Sequence, residues 1–448
     1  MNLFRITLNS LFSLFLLALL PLAAEAQQNL TLQDAITLAI EHNRNLKITD
    51  LDVSRTQQQA RVSRSKLLPV VNLNGQYAHY FQRPVFFGLG APAAGSEELS
   101  YARIGGEDQF VAAVSLVQPL YNPSLKPELQ RARLLENTSR LAHQDRESEV
   151  VAQVKQTYLS ILVLEQRLKL QHESLIRNQK VLNDAKSLYA QGRALRVDTL
   201  RAYTTVKNLS PDILKLSNAI ANTRLQLINL LGAESTEEVA LSDSLFIQTM
   251  DEIPSEENVV EEAKKSRPDL QMLSLNERIA EQQVSLARAG KLPSLSLVGQ
   301  YQVLSQTNNF SVDQSSWPSV SFVGAQIAVP LFSGNSNSAK VKDAKFASEQ
   351  SLLQHTDAVE QLKIQAHQVI ASLHETTDRL QTQSTVKETA QLSYSISQYR
   401  YEKGVASRLE LTDAELALTS AQLNYLEAVY DYLSAHIQLD RVLGKTVR

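Results

Sequence analysis

The chain of 448 residues contains no cysteine. Disulfides, thiolate metal sites, a cysteine nucleophile and a lipid carried on an N-terminal cysteine are thereby excluded. Glycine (14) and proline (13) are scarce, as in chains built from long uninterrupted elements. Charge is balanced, with 44 basic and 47 acidic side chains and a net −3, so nucleic acid is not an expected partner. Beyond the N-terminal segment no apolar run reaches about 18 residues, and no transmembrane helix is expected there. A membrane crossing would therefore have to be made by strands.

The sequence also lacks a P-loop, H-E-x-x-H, G-x-S-x-G and an EF-hand loop. His374-Glu375 has Asp378 where a second metal-binding histidine would stand. His367 and His374 are seven apart without a third ligand nearby and read as surface histidines. The glycines of Gly88-Leu89-Gly90 have the wrong spacing for a dinucleotide loop. No cofactor, no metal and no enzymatic activity are expected.

What is present begins with an export signal: Arg5, the apolar stretch Leu11 to Leu20, and Ala24-Glu25-Ala26 as cleavage site. Residues 1–26 are read as a signal peptide, with the mature chain starting near Gln27.

The remainder is written twice. Ala39, Leu46, Pro69, Gly75, Gln76 and Tyr77 recur 224 positions later as Ala263, Leu270, Pro293, Gly299, Gln300 and Tyr301. Tyr189, Gly192 and Gly232 recur 212 positions later as Tyr401, Gly404 and Gly444. This ordered set divides the chain into a first repeat at 27–232, a linker at 233–258 and a second repeat at 259–448. The first repeat is longer because of Phe81 to Gln109, which reads as a loop.

Seven-residue spacing of apolar residues marks the long helices. It runs through Val154, Ile161, Leu168, Leu175, Leu182 and Tyr189, through Leu352 to Leu380, and through Leu409, Leu416, Leu423, Tyr430 and Ile437. From Glu128 to Gln191 neither Pro nor Gly occurs, room for one helix of roughly 100 Å. Each long helix is expected to end at a Tyr-x-x-Gly, Tyr189 to Gly192 and Tyr401 to Gly404, with the glycine left-handed and an antiparallel helix following. Ser210-Pro211 is expected to break the first returning helix.

The period changes to two between Pro69 and Pro119 and again between Pro293 and Pro330. Val71, Leu73, Gly75 and Tyr77 alternate with Asn72, Asn74 and Gln76, and Leu295, Leu297, Gly299 and Tyr301 alternate with Ser296 and Gln300. Strand pairs are expected at 70–118 and 294–329, with Pro69, Pro119, Pro293 and Pro330 at the helix–strand junctions. One apolar and one amide-rich face suits a strand between lipid and a watery lumen. Four strands cannot close a barrel alone, so a spanning chain must oligomerise. A periplasmic coiled-coil adaptor or spacer without a channel is the alternative reading.

These features together resemble the TolC-like outer-membrane efflux protein family over essentially all of the mature chain. The resemblance rests on the duplication, the Pro-flanked strand pairs, Tyr189-Ala190-Gln191-Gly192 with Asp198, and Tyr401-Glu402-Lys403-Gly404 with Glu410 and Asp413. It implies a mainly α fold with β: a homotrimer whose four strands per chain form a shared twelve-stranded barrel in outer-membrane lipid, continued by a periplasmic α-barrel. It also implies an exit duct for a tripartite pump or type I secretion system, partnered by a periplasmic adaptor and an inner-membrane transporter. The turns at Tyr189, Gly192, Tyr401 and Gly404 would dock the adaptor. Glu410 and Asp413, with Asp198, would form an acidic constriction. Ala406 stands where family members have an arginine, which implies either Arg408 as the restraining partner or a looser closed state.

Overall fold

The computed structural model describes residues 29–87, 101–233, 240–243, 245, 252–310 and 316–445. The segment expected to be a signal peptide therefore lies outside the described residues, as do 88–100 of the long loop and Phe246 and Ile247 of the linker. Eight helices and eight strands are present among the described residues. In chain order they are β1 (Asn29–Leu30), α1 (Leu32–His42), α2 (Arg44–Ser65), β2 (Val70–His79), β3 (Val85–Phe87), β4 (Tyr101–Arg103), β5 (Asp108–Tyr121), α3 (Leu125–Ala190) and α4 (Arg196–Leu231). The second half contributes β6 (Ala240–Leu241), α5 (Glu256–Ser266), α6 (Pro268–Ala289), β7 (Ser294–Thr307), β8 (Ser319–Ala328), α7 (Ser336–Glu402) and α8 (Arg408–Val442). The fold is mainly helical. None of the described helices is long and apolar enough to cross a membrane.

Two compact units emerge, each discontinuous in sequence. The first is drawn from Met1–Lys47, Arg146–Ser266 and Ile364–Arg448, the second from Ile48–Asp145 and Arg267–Lys363.

The first unit holds an apolar core of Ala35, Ile36 and Ala39 from α1, Val150, Val154, Tyr158 and Ile161 from α3, and Leu227 and Leu231 from α4. Local chemistry sets α1 in place. Thr31 and Asp34 form a reciprocal capping box at its start. At its end the buried Asn43 donates to the Leu230 carbonyl (2.7 Å) and accepts from the amides of Asn45 and Leu46, stopping α1 and starting α2 with one side chain. Tyr158, 2% exposed, has its hydroxyl 2.8 Å from both the Leu30 carbonyl and Asp243. It thus ties the β1–β6 clasp, a parallel pair formed by Asn29–Leu30 and Ala240–Leu241, to the core. Burial, followed by the adjacent Asp243 carboxylate, pushes its phenol above the usual range.

Two expectations for this unit are corrected. Pro211 does not break α4, which runs through it. The carbonyl it leaves without a donor belongs to the exposed Lys207 and is open to water, so the helix tolerates the loss. The stripe from Leu409 to Ile437 is not the buried face of α8. Leu409 and Leu416 are 62% and 56% exposed, while Leu411, Glu415, Leu418, Leu426, Val429 and Tyr432 are buried. Helix α5 begins at Glu256, and Leu245 packs on the cluster of Leu380, Ala428, Val429 and Tyr432.

The second unit contains a four-stranded antiparallel sheet in the order β2-β5-β7-β8. Its register aligns Leu73 with Val114 and Val114 with Tyr301, and on the next row Asn74 with Ala113 and Ala113 with Gln302. Because side chains alternate along each strand, one face collects Val71, Leu73, Tyr77, Phe110, Val114, Leu116, Tyr301, Val303, Val323 and Ile327. The other collects Asn72, Asn74, Gln76, Ser115, Gln300, Gln302 and Gln326, interspersed with Val70, Val111, Val117, Val298, Leu304, Val320 and Phe322. The four strands contain a single Asp, Glu, Lys or Arg, namely Asp108, although 20% of the chain is charged. Asp108 lies at one end of β5, where it accepts from Tyr77 and meets His79, both at 2.8 Å. Beside it Tyr77, Phe110, Phe310 and Trp317 form a cluster of rings.

Prolines 69 and 293 immediately precede β2 and β7. Pro119 is not a junction: β5 continues through it to Tyr121, with a register shift between Pro119 and Tyr121. Its partner β2 ends opposite Val117, so the proline sits where β5 has a neighbour on one side only. Pro330 follows the end of β8, and α7 begins only after the turn at Gly334 and Asn335. The segment read as a loop holds a short hairpin, in which Val85–Phe87 pairs with Tyr101–Arg103.

Candidate functional site

The two helix turns share one geometry. At the end of α3, Gly192 has φ +72°; its amide donates to the Tyr189 carbonyl and the Arg193 amide to the Leu188 carbonyl, each at 2.9 Å. At the end of α7, Gly404 has φ +76°, its amide bonds the Tyr401 carbonyl at 2.9 Å and the Val405 amide bonds the Arg400 carbonyl at 3.0 Å. This pair of bonds is the Schellman arrangement, which needs a left-handed residue at the glycine. A Cβ at either glycine would meet nothing within 4 Å. Backbone conformation, not crowding, therefore selects glycine at these turns. Tyr189, Leu195 and Val197 beside the first turn are exposed, as are Tyr399, Val405 and Leu409 beside the second.

The acidic residues sit just past these turns. Asp198 occupies the first turn of α4, and Glu410 the first turn of α8, where Ser407 caps the helix by accepting from the Glu410 amide at 3.2 Å. Carboxylates are favoured there by the helix dipole. Asp413 lies three residues on, exposed and on the same side of the helix as Glu410. Arg400, not Arg408, restrains Glu410: its Nη1 donates to Oε1 at 2.8 Å, closing the α7–α8 turn. Both partners are substantially exposed, so the pair contributes at most about 1 kcal/mol.

Five residues beyond Glu410 the structure places a second carboxylate that the heptad reading passed over. Glu415 is 4% exposed. Its Oε1 accepts from Ser174 Oγ (3.0 Å), Asn178 Nδ2 (3.0 Å) and Arg177 Nε (3.3 Å), all from α3. Arg177 also reaches Thr419 and lies 6.0 Å from the Tyr394 ring of α7. Burial raises the Tyr394 phenol above its ordinary value. Ser174 and Asn178 belong to a buried line of Leu170, Ser174, Asn178 and Leu182 on α3. Two polar residues in a stripe of spacing four were the available signal. Elsewhere in this unit His367 Nδ1 lies 3.1 Å from Glu256.

The sequence profile of the outer membrane efflux protein family matches residues 35–233 and 259–445. A probable efflux pump outer membrane protein, TtgC of Pseudomonas putida, is 23% identical over 92% of this chain and 82% of its own length. The outer membrane protein TolC of Vibrio cholerae is 21% identical over 85% and 83% respectively. Among solved structures, the CmeC outer membrane channel of Campylobacter jejuni superposes with a TM-score of 0.78 at 16% identity, covering 94% of this chain and 86% of that one. The open state of the MtrE outer membrane channel of Neisseria gonorrhoeae gives 0.73 at 19% identity, covering 92% and 88%. With its profile matched through both halves and its fold that of these channels, the chain belongs to the outer membrane efflux protein family.

Proposed function

We propose that the protein is the outer-membrane exit duct of a tripartite efflux pump or type I secretion system, working as a homotrimer. The observation that carries this reading is the sheet. Its register sorts the side chains into an apolar and an amide-rich face, its strands are nearly free of charge, and among the described residues β2 and β8 each have one edge without a partner strand. Exposed edges are not tolerated in lipid. Pairing β8 of one copy with β2 of the next removes them, and three copies give twelve strands. The apolar face then meets lipid, with the Tyr77, Phe110 and Trp317 rings at the membrane–water boundary. The two repeats at 27–232 and 259–448 supply equivalent helix hairpins, joined by the linker at 233–258. The apolar stripe of Leu409 and Leu416, unburied within one chain, is available to a neighbouring copy. Mass in mild detergent tests the assembly, and planar-bilayer conductance tests the duct. Conducting particles with three chains are expected; a folded, membrane-embedded monomer would end the proposal.

In this reading the turns at Tyr189, Gly192, Tyr401 and Gly404 dock a periplasmic adaptor that connects the duct to an inner-membrane transporter. Their open surroundings and exposed apolar neighbours suit a contact surface. Threefold symmetry gathers Glu410 and Asp413 into a ring of six carboxylates, with Asp198 close to the partner turn. Like charges crowded in a narrow mouth favour cations and offer a site for multivalent ones. The Glu410→Ala plus Asp413→Ala double variant should therefore lose cation preference and bind trivalent cations at least about tenfold more weakly in single-channel block. Unchanged selectivity and block would remove both residues from the constriction.

A further inference from the structure

The amide-rich face of the sheet carries more information than its polarity. Rows across the sheet place Asn72, Ser115, Gln300 and Phe322 side by side, and on the next row of this face Asn74, Ala113, Gln302 and Val320. Gln76 and Gln326 extend the face in the two directions. Among the described residues of the four strands, no Asp, Glu, Lys, Arg or His lies on this face. The charged Asp108 and the His79 it meets both belong to the apolar face, at the end where the ring cluster sits.

We propose that the membrane-embedded part of the duct is a charge-free tube, lined by amide and apolar side chains, that does not sort cargo by charge, so that any electrostatic filter lies in the helical part. This rests on the reading of the amide face as the lumen. Two physical points make the arrangement consequential. First, low-dielectric walls focus the field of any fixed charge, and a threefold axis would triple each one, so a single lumenal Asp or Lys would dominate passage. Second, a side-chain amide offers both a donor and an acceptor. It hydrates cations, anions and neutral polar groups alike, so the lining stays wet without preferring one sign. The cargo class that fits is broad: soluble molecules of either charge, admitted or refused before they reach the barrel.

The absence of cysteine makes a direct test available, because one introduced thiol is unique in the chain. Full-length Asn74→Cys and Gln302→Cys place thiols on the amide face of one row; Leu73→Cys and Tyr301→Cys place them on the apolar face of the adjacent row. Each variant, assembled in the membrane, is treated with cationic and with anionic methanethiosulfonates of similar size, and rates are normalised to those of a free thiol. At Asn74→Cys and Gln302→Cys the two reagents should react at rates within about twofold of each other, with little dependence on salt, because no fixed charge concentrates either one. A preference of about tenfold or more for either sign at both positions, collapsing at high salt, would overturn the charge-free lining while leaving the lumen in place. Reaction at Leu73→Cys and Tyr301→Cys with none at the amide-face thiols would instead reject the lumen assignment, and with it the duct reading. Using two positions per face guards against one variant that fails to assemble.

Discussion

Replacing Arg177 with leucine is expected to raise local opening of the α3 and α8 segments around it by roughly a hundredfold. Glu415 is among the few charged side chains buried in the described chain. Its Oε1 has three donors, of which only the guanidinium carries charge. Removing one partner of a buried ion pair costs about 3–5 kcal/mol, because the other charge stays in a poorly solvating site. The lower end applies here, since Arg177 is partly exposed. At about 1.4 kcal/mol per factor of ten, that is two decades in an opening constant. Hydrogen exchange of the amides of 174–178 and 411–419 reads it directly. The decisive comparison is the double variant, Arg177→Leu with Glu415→Leu. Replacing both members by apolar groups is often nearly neutral, so most of the lost protection should return. A double variant as unprotected as the single one would show that Arg177 acts through packing rather than charge.

The second large effect is expected at Gly232, which ends α4. Its φ is +70° and its amide geometry matches that of Gly192 and Gly404. Its surroundings differ. A Cβ there would lie 2.3 Å from the His42 carbonyl oxygen and 2.7 Å from its carbon, so backbone must move. Gly404→Ala should cost only the left-handed strain, about 1–2 kcal/mol. Gly232→Ala adds overpacking of about 1–3 kcal/mol, and the displacement falls on the α1–α2 corner that Asn43 organises. Protection of amides in 227–231 and 39–46 should drop well beyond that around 400–405 in the Gly404 variant. Equal effects would mean that the α1–α2 corner yields to the methyl group.

Much of this architecture is legible in the residues, and the exceptions share a cause. The long helices follow from seven-residue spacing and scarce glycine, and the two turns from Tyr-x-x-Gly. The strands follow from alternation of Val71, Leu73 and Tyr77 with Asn72, Asn74 and Gln76. What escaped depends on neighbours in space. Whether Pro119 ends a strand depends on where β2 stops, and whether Pro211 ends a helix depends on water reaching the Lys207 carbonyl. On α8, Leu409 and Leu416 keep a regular period, yet the buried face is the adjacent one. Glu415 reads as an ordinary surface acid until α3 supplies Ser174, Arg177 and Asn178. Similarly, Arg408 is nearer to Glu410 in sequence, but the turn brings Arg400 to it. The hairpin of β3 and β4 lacks a two-residue turn signal because its strands are separated by thirteen residues, 88–100.

The bare edges of β2 and β8 pose a hazard during biogenesis. An exported chain crosses an aqueous compartment before it reaches lipid, carrying segments such as Ser319–Ala328 that have high strand propensity and no charge to repel a wrong partner. The helical core around Tyr158 has the burial to form without a membrane, but in the proposed trimer the sheet would have no stable home until three copies meet. Closure of the proposed trimer would then be steeply concentration-dependent, and every delay would favour strand pairing between copies in the wrong register. Escorts that mask strand edges, and insertion machinery that lets the third copy close the ring in lipid, would matter more to the yield of working channels than the stability of any single chain.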